Sequence, residues 1–308
     1  MTQTLERLTR RADTMRSIRG IVRTMKTVSA INAAPYEQAA RAIEAYRATV
    51  LDGLHAFIAA QGPLPPVKDV VGDRITIAFG SDHGLCGNYN EMLAEEVLRG
   101  GDAPARVICI GAQMEDALAG QGIASDTALL PPANVDGLGR LAGRLITLLD
   151  DIRGARGDAG ITVSLVFMQR AEHGRQAPVT RRLLPLDPAM TGALAARPWA
   201  SRSLPTFSLP PGRMLAALVR SFLFTELYLA AAEALVTENA ARLARMQQAE
   251  RAIDDRREEL AGEMRQLRQS EITTELLDVI IGFEALKSHR GKRRDENDAD
   301  WQGQSPSG

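Results

Sequence analysis

Apolar residues between Arg213 and Lys287 recur in two interleaved series of sevens. One reads Leu215, Phe222, Leu229, Val236, Leu243; the other reads Ala232, Asn239, Met246, Ile253, Leu260, Leu267, Thr274, Ile281. Offsets of three and four residues between the series make the a/d seam of a left-handed coiled coil. No proline interrupts the stretch, and its only glycines are Gly262 and Gly282. The pattern predicts one helix of about 75 residues, about 110 Å long at 1.5 Å per residue. After Leu243 the first series gives way to Glu250, Arg257, Met264, Glu271 and Asp278. So narrow a stripe describes a long, partly exposed shaft rather than one helix of a large buried bundle.

A second heptad opens the chain over residues 4–34. Leu8, Met15, Val22 and Ser29 lie seven apart, with Ile18, Met25 and Asn32 between them. Thr2 or Thr4 is placed to cap its start. Pro35 is predicted to kink or end the helix before Tyr36, because it lacks the N–H that a helix interior needs. Helical composition resumes over Tyr36–Ala60, with Ile43, Tyr46, Val50, Leu54 and Phe57 on one stripe. The seam of the first helix is small and slightly polar, like the distal seam of the C-terminal one. The two are therefore predicted to pair antiparallel, N-terminal helix against the last third of the chain.

Between these ends the period changes. Gln61–Asp73 reads as a linker by its proline and glycine content. Strands are predicted at Ile75–Phe79, Arg106–Ile110 and Ile161–Gln169, with an edge strand at Val179–Leu186. Helices are predicted at Asn88–Leu98, Gln113–Ala119 and Val135–Ile152. Such alternation implies a mostly parallel, three-layered α/β sheet. Ala200–Gly212 is a second linker, and the charged tail after Lys287 reads as disordered. The expected fold class is thus α/β plus a long antiparallel coiled coil. Shaft helices occupy 1–60 and 209–288, a Rossmann-like three-layer domain occupies 74–200, and residues 289–308 form the tail.

Charge sharpens the pairing. The 308-residue chain has a formal net charge of −1, which gives no global case for nucleic-acid binding. Residues 1–30, however, carry seven basic against two acidic side chains, and residues 226–284 carry thirteen acidic against seven arginines. Opposite charge favours helix pairing, although each exposed pair is worth only about 0–1 kcal/mol. Cys86 and Cys109 are too few and too scattered for a disulfide framework or a zinc site, consistent with a reducing setting. The arginine-rich N-terminus has the composition of a transit peptide, but Glu6, Asp13 and the sustained heptad argue for mature structure. No apolar run approaches the roughly 18 residues of a membrane span, since Leu227–Val236 is broken by Glu233. Membrane contact is therefore expected only through other proteins.

Candidate chemistry is thin. The loop Gly80–Asn90, GSDHGLCGNYN, joins a strand to a helix, where phosphate-binding turns sit. It has neither G-x-G-x-x-G nor G-x-x-x-x-G-K-[ST], and no lysine to neutralise a phosphate. A packed structural turn is the reading it supports. Cys86 with His83 lacks an orienting third group, Asp82 notwithstanding, so a packed cysteine outweighs a thiol nucleophile. His55, His173 and His289 have no ligand spacing to another donor. Asp254, Asp255, Glu258 and Glu259 read as a wet helical face. No catalytic residue, cofactor or metal site emerges.

Four motifs resemble the gamma subunit of F-type ATP synthases. IRGIVRTMKTVSA resembles the family signature around a Met-Lys pair, here Met25 and Lys26. SDHGLCGNYN is similar to S-D-[RK]-G-L-C-G-[GA]-[FY]-N, departing at His83 and Asn88. FLFTELYLAAAEALVTENAARLARM resembles the helix motif ending S-E-N-A-A-R-M. RQSEITTELLDVIIGFEAL is similar to the C-terminal R-Q-A-x-I-T-x-E-L-x-E-I-x-x-G-A-x-A-L, with Glu271 at a usually small position. The basic stretch after the family's first helix reads INAAPYEQAA here, which fits a divergent branch such as the alternative sodium- or proton-linked bacterial complexes. The insert with a regulatory cysteine pair found in chloroplast relatives is absent.

The resemblance implies a non-catalytic rotor shaft inside a hexamer of alpha and beta subunits, with the α/β domain as a foot on the membrane c-ring that binds the epsilon subunit. It implies a peripheral location on the cytoplasmic face of the bacterial plasma membrane. By motif match, Met25, Lys26, Arg242, Gln269 and Thr273 are expected to meet the beta subunits, Arg242 offering its fork to an acidic loop. Met25 and Gln269 also fall on heptad positions, where packing between the two helices is the competing reading. A free-standing coiled-coil scaffold and a nucleotide-dependent α/β domain are the rival readings from other classes.

Overall fold

In the computed structural model, the described residues are 2–65, 73–100, 106–156, 160–171 and 175–301, with side chains described from 4 to 284. The element order is α1 (Thr2–Gln61), β1 (Arg74–Phe79), α2 (Tyr89–Arg99), β2 (Arg106–Ile110), α3 (Ala112–Gly120), β3 (Thr127–Leu129), α4 (Leu138–Arg156, after a 3-10 turn), β4 (Thr162–Arg170), β5 (Gln176–Leu184), α5 (Pro188–Ala196) and α6 (Pro211–Trp301). The chain divides into two bodies. Residues 24–247 form one, and the chain ends, 1–23 with 248–308, come together as the other.

The larger body is built on a five-stranded sheet of order β3-β2-β1-β4-β5, parallel except for the antiparallel β4–β5 pair. Successive side chains of a strand point to opposite faces, and that alternation sorts the core into two clusters. Ile75, Ile77 and Phe79 of β1, Ile108 and Ile110 of β2, and Val163, Leu165 and Phe167 of β4 face one side. They pack against Leu138, Leu145 and Leu149 of α4, Tyr36 and Ile43 of α1, and Leu227 through Val236 of α6. Ala78, Val107, Cys109, Val166 and Met168 face the other side, under Tyr89, Leu93 and Val97 of α2 and Met114 and Leu118 of α3. The three layers are those the alternation predicts. The sequence pattern did not show that both long helices supply one of those layers.

Several expectations are corrected. Pro35 neither ends nor splits the first helix: α1 is continuous from Thr2 to Gln61 with Pro35 inside it. Its burial explains why. Positions 8, 15, 22, 29, 36, 43, 50 and 57 form one unbroken heptad, all buried except the half-buried Met15. Burial of Tyr36, Ile43 and Val50 offsets the roughly 3 kcal/mol that an interior proline costs. Both Pro35 and Ile31, whose carbonyl loses its partner, lie on the exposed side, where water can take the freed acceptor. The second N-terminal series fares less well, since Ile18 and Asn32 are exposed.

The tail expected to be disordered continues as helix to Trp301, there being no proline before Pro306 to stop it; residues 302–308 lie outside the described residues. So do 66–72 of the first linker and His173. Two short elements went unpredicted. β3 has only three residues, too few for a period, and α5 is capped by Asp187, whose carboxylate accepts from the Ala189 N–H at 2.9 Å. By composition α6 also carries an 18-residue window of mean hydropathy 1.5, apolar enough to cross a membrane, contrary to the reading above. In the fold its apolar residues from Leu227 to Val236 belong to the core.

The C-terminal seam is buried at Phe222, Leu229, Ala232, Val236, Asn239, Met246, Ile253 and Leu260. Beyond Leu260 it opens: Leu267 and Thr274 are half-buried and Ile281 is 62% exposed. Antiparallel pairing is visible within the larger body, where Arg47 meets Glu226, Val50 and Leu54 pack with Phe222, and Gly53 abuts Leu218. In the body of the chain ends, Arg19 Nε donates to Asp254 Oδ1 at 2.7 Å. That contact draws the Asp254 carboxyl below its ordinary value, with Arg257 adding to it. The acidic face singled out at 254–259 is therefore partly a pairing face.

Candidate functional site

Two of the four motifs meet in space. The motif stretch 80–90 runs from the end of β1 into the first turn of α2, and its shape is dictated by the residues around it. The Gly80 N–H donates to the Ile110 carbonyl at 2.9 Å, and a Cβ at Gly80 would overlap Met114. Asn90 clamps the base of the loop. Its Oδ1 accepts from the Ser81 N–H at 2.9 Å, and its Nδ2 donates to Ser81 Oγ at 2.8 Å. Gly87 has φ +71°, and the Arg245 guanidinium fills the place a side chain would take. Glycine meets both requirements at once.

The motif TENAAR on α6 holds this loop down. Arg242, 9% exposed, donates from Nη2 to the His83 carbonyl at 3.1 Å and from Nε to the Gly84 carbonyl at 3.4 Å. Nη2 also donates to Cys86 Sγ at 3.2 Å and to Glu238 Oε1 at 2.5 Å. Two residues past Gly87, the Tyr89 hydroxyl donates to the Ala234 carbonyl at 2.9 Å and lies 3.0 Å from Thr237 Oγ1. Gln176 of β5 donates from Nε2 to the Thr237 carbonyl at 3.0 Å. Asn239 Nδ2 donates to the Leu235 carbonyl at 2.8 Å. The result is a buried polar joint between a glycine loop and a helix, separated by about 150 residues of chain.

Its electrostatics follow from burial. Desolvation pushes the Glu238 carboxyl above its ordinary 4.5, with Arg242 opposing the shift. Burial likewise raises Cys86, against the pull of Arg242, and pushes the Cys109 thiol up to about 12. Both thiols are held protonated, so neither is a thiolate nucleophile. A cavity of about 380 Å³ opens beside the loop, lined by Asn90, Glu91, Gln113, Asp116 and Gln121 among others, with no lysine or arginine. Such a lining offers nothing to neutralise a phosphate. Among the described residues, no group of three or more His, Cys, Asp or Glu could hold a metal ion.

The expected partner-facing residues fall into different settings. Met25 and Lys26 are half-buried on α1. Gln269 and Thr273 are exposed on α6, Thr273 Oγ1 donating to the Gln269 carbonyl at 2.8 Å. Arg242 is different. Its fork is committed within the chain to Glu238 and the loop carbonyls, which revises its expected role from an offered hand to an internal brace. Met25, Lys26 and Arg242 belong to the larger body, Gln269 and Thr273 to the body of the chain ends. Tyr89 and Glu238 were not singled out from sequence; the density of motif residues at TENAAR and GNYN was the available signal.

Comparison with known proteins gives the same family. The model described as ATP synthase matches residues 4–286. An ATP synthase gamma chain of Nitratidesulfovibrio vulgaris is 28% identical over 242 residues, covering 73% of this chain and 78% of the relative. One from Ruegeria pomeroyi is 25% identical over 299 residues, covering 92% and 99%. Among solved structures, a chain of the Euglena gracilis mitochondrial ATP synthase (OSCP/F1/c-ring) has a TM-score of 0.66 at 15% identity, covering 95% of this chain and 97% of that one; this likeness shows the fold. With two sequence motifs joined as one buried brace and the family model spanning nearly the whole chain, the protein belongs to the ATP synthase family, as a gamma chain.

Proposed function

We propose that this chain is the central rotor of an F-type ATP synthase, coupling ion flow through the membrane sector to ATP synthesis or hydrolysis by turning. The observation that carries this reading is the bare end of α6. Ile272, Leu276, Leu277, Val279, Ile280, Ile281 and Phe283 are each more than half exposed on one twelve-residue stretch. An apolar surface of that density calls for a covering partner. A sleeve of alpha and beta subunits is the partner we assign, with Met25, Lys26, Gln269 and Thr273 among the positions that touch the beta subunits. The α/β domain is then the foot, seated on the c-ring and carrying the epsilon subunit, at the cytoplasmic face of the bacterial plasma membrane.

In this role the chain makes and breaks no bonds itself. An asymmetric shaft presents a different face to each of three beta subunits as it turns. Driving one beta subunit from 1:99 to 99:1 between closed and open states needs differential contacts of about 5.5 kcal/mol. Packing plus a few charge-assisted hydrogen bonds supplies energies of that order. The test is reconstitution of purified chain with alpha and beta subunits, the epsilon subunit and the membrane sector. Restored ATP-driven ion pumping is the expected result. Hexamers that hydrolyse ATP without pumping when the chain is present would favour a scaffold instead, and nucleotide binding to the full chain by calorimetry would favour an enzyme.

A further inference from the structure

Two charge clusters of opposite sign tie both long helices to the sheet. At the first, Glu226 of α6 is 3% exposed and holds one arginine on each oxygen. Oε1 accepts from Arg47 of α1, and Oε2 accepts from Arg181 Nη1 of β5 at 3.2 Å. Arg181 occupies the face of β5 that also carries Val179 and Leu183, so a charge there needs a partner from the covering helices. Each guanidinium also stands over a ring, Arg181 at 5.2 Å from Phe167 and Arg47 at 5.9 Å from Phe222. At the second cluster the signs reverse. Arg170 of β4 donates from Nη2 to Glu233 of α6 at 2.8 Å and from Nη1 to Glu37 of α1 at 3.0 Å.

The surface of α6 between these points is wholly apolar where it meets the core. Leu227 and Leu229 are buried there, followed by three consecutive buried alanines, Ala230, Ala231 and Ala232, whose methyl groups offer little relief. Apolar contact is non-directional and resists separation more than sliding. Charge-assisted hydrogen bonds have fixed geometry and resist both. One such point would still leave a pivot. Two points, seven residues or about 10 Å apart along α6, fix its rotation as well as its axial position.

We propose that Glu226 and Arg170, with their partners, form a two-point key that transmits torque between the sheet and both shaft helices. Glu226 and Arg170 are positioning residues in this scheme. It rests on the rotor reading above, and it separates from that reading experimentally.

The test uses the complex reconstituted in vesicles, with Glu226→Gln, Arg170→Gln and the double variant. ATP hydrolysis in leaky vesicles reads the unloaded motor; membrane potential reached per ATP in sealed vesicles reads the loaded one. Each single variant should keep unloaded hydrolysis within twofold of the parent. Loaded pumping per ATP should fall at least threefold in each, and further in the double variant. Equal loss of both activities, or parental pumping at every potential, would overturn the proposal. Should Glu226→Gln fail to assemble, Arg181→Gln removes only the sheet arm and is expected to slip in the same way. Optical-tweezers pulling of the isolated full chain, with handles on α5 and at Thr273, gives a second readout independent of the rotor role. A lower rupture force in the variants supports the key, and an unchanged force refutes it even if the chain proves to be no rotor.

Discussion

The body of residues 24–247 buries its own charges, whereas the body of the chain ends leaves its apolar residues bare. In the former, Glu226, Glu238 and Arg242 are each less than a tenth exposed and paired, amid a core that contains fully buried Leu227 and Phe167. In the latter, Leu260 is buried, the Arg19–Asp254 pair is over a third exposed, and the stretch from Ile272 to Phe283 carries its large side chains outward. Buried ion pairs are weak sources of stability compared with apolar packing; their value lies in fixing geometry. Exposed apolar side chains do the reverse, contributing little to the isolated chain and much to an assembly. The first body satisfies its buried charges from within, and the second leaves a dense run of large apolar side chains uncovered.

This contrast can be broken by substitution, and the largest effect falls in the body of residues 24–247. Arg242→Ala should cost about 3–5 kcal/mol by denaturant unfolding, because it strands the Glu238 carboxylate without its partner. An unchanged midpoint would mean that the brace is dispensable, and would restore Arg242 as a candidate outward contact. Leu260→Ala, at the last buried seam position, should cost about 2–5 kcal/mol, with the low end if the two helices close the gap. Glu238→Gln should act through pH. The carboxyl is raised in the folded state, so it contributes stability below its ordinary 4.5, and that contribution is lost as pH rises through the raised value. Melting curves of the parent should therefore decline across that window relative to the variant, by at most about 1.4 kcal/mol per pH unit for one proton. The smallest effect belongs to the bare stretch of the chain ends. Leu277→Ala should shift the stability of the isolated chain by less than about 0.5 kcal/mol, while weakening its retention by the alpha/beta hexamer in gel filtration.

What the sequence revealed depended on the range of the interaction. The strands β1, β2 and β4 were found within a residue or two because buried strands are apolar runs bounded by polar turns. The seam of α6 was correct as far as Leu260 because a heptad is a local pattern. Pro35 misled because a one-residue rule outweighed a heptad continuing through Tyr36, Ile43, Val50 and Phe57. The motif loop was rightly taken for a packed turn, but what packs it was invisible. Arg242 and Cys86 are 156 residues apart, and Arg47 and Glu226 are 179 apart. Nothing in one chain's periodicity couples such positions, so Arg242 looked like a free fork.

The order in which the layers are made carries its own consequence. Phe79, Ile110 and Phe167 lie under Leu227 through Val236, yet α6 leaves the ribosome after all five strands. At roughly 5–20 residues per second, the fifty-odd residues from Leu184 to Val236 take about 3–10 s to emerge. Throughout that interval α1 and α4 can cover their share of this face, but the part that α6 covers stands open. Loop closure over such separations is also slow. Biogenesis of this protein must therefore shield that open strip of the sheet from aggregation until Leu227 through Val236 arrive.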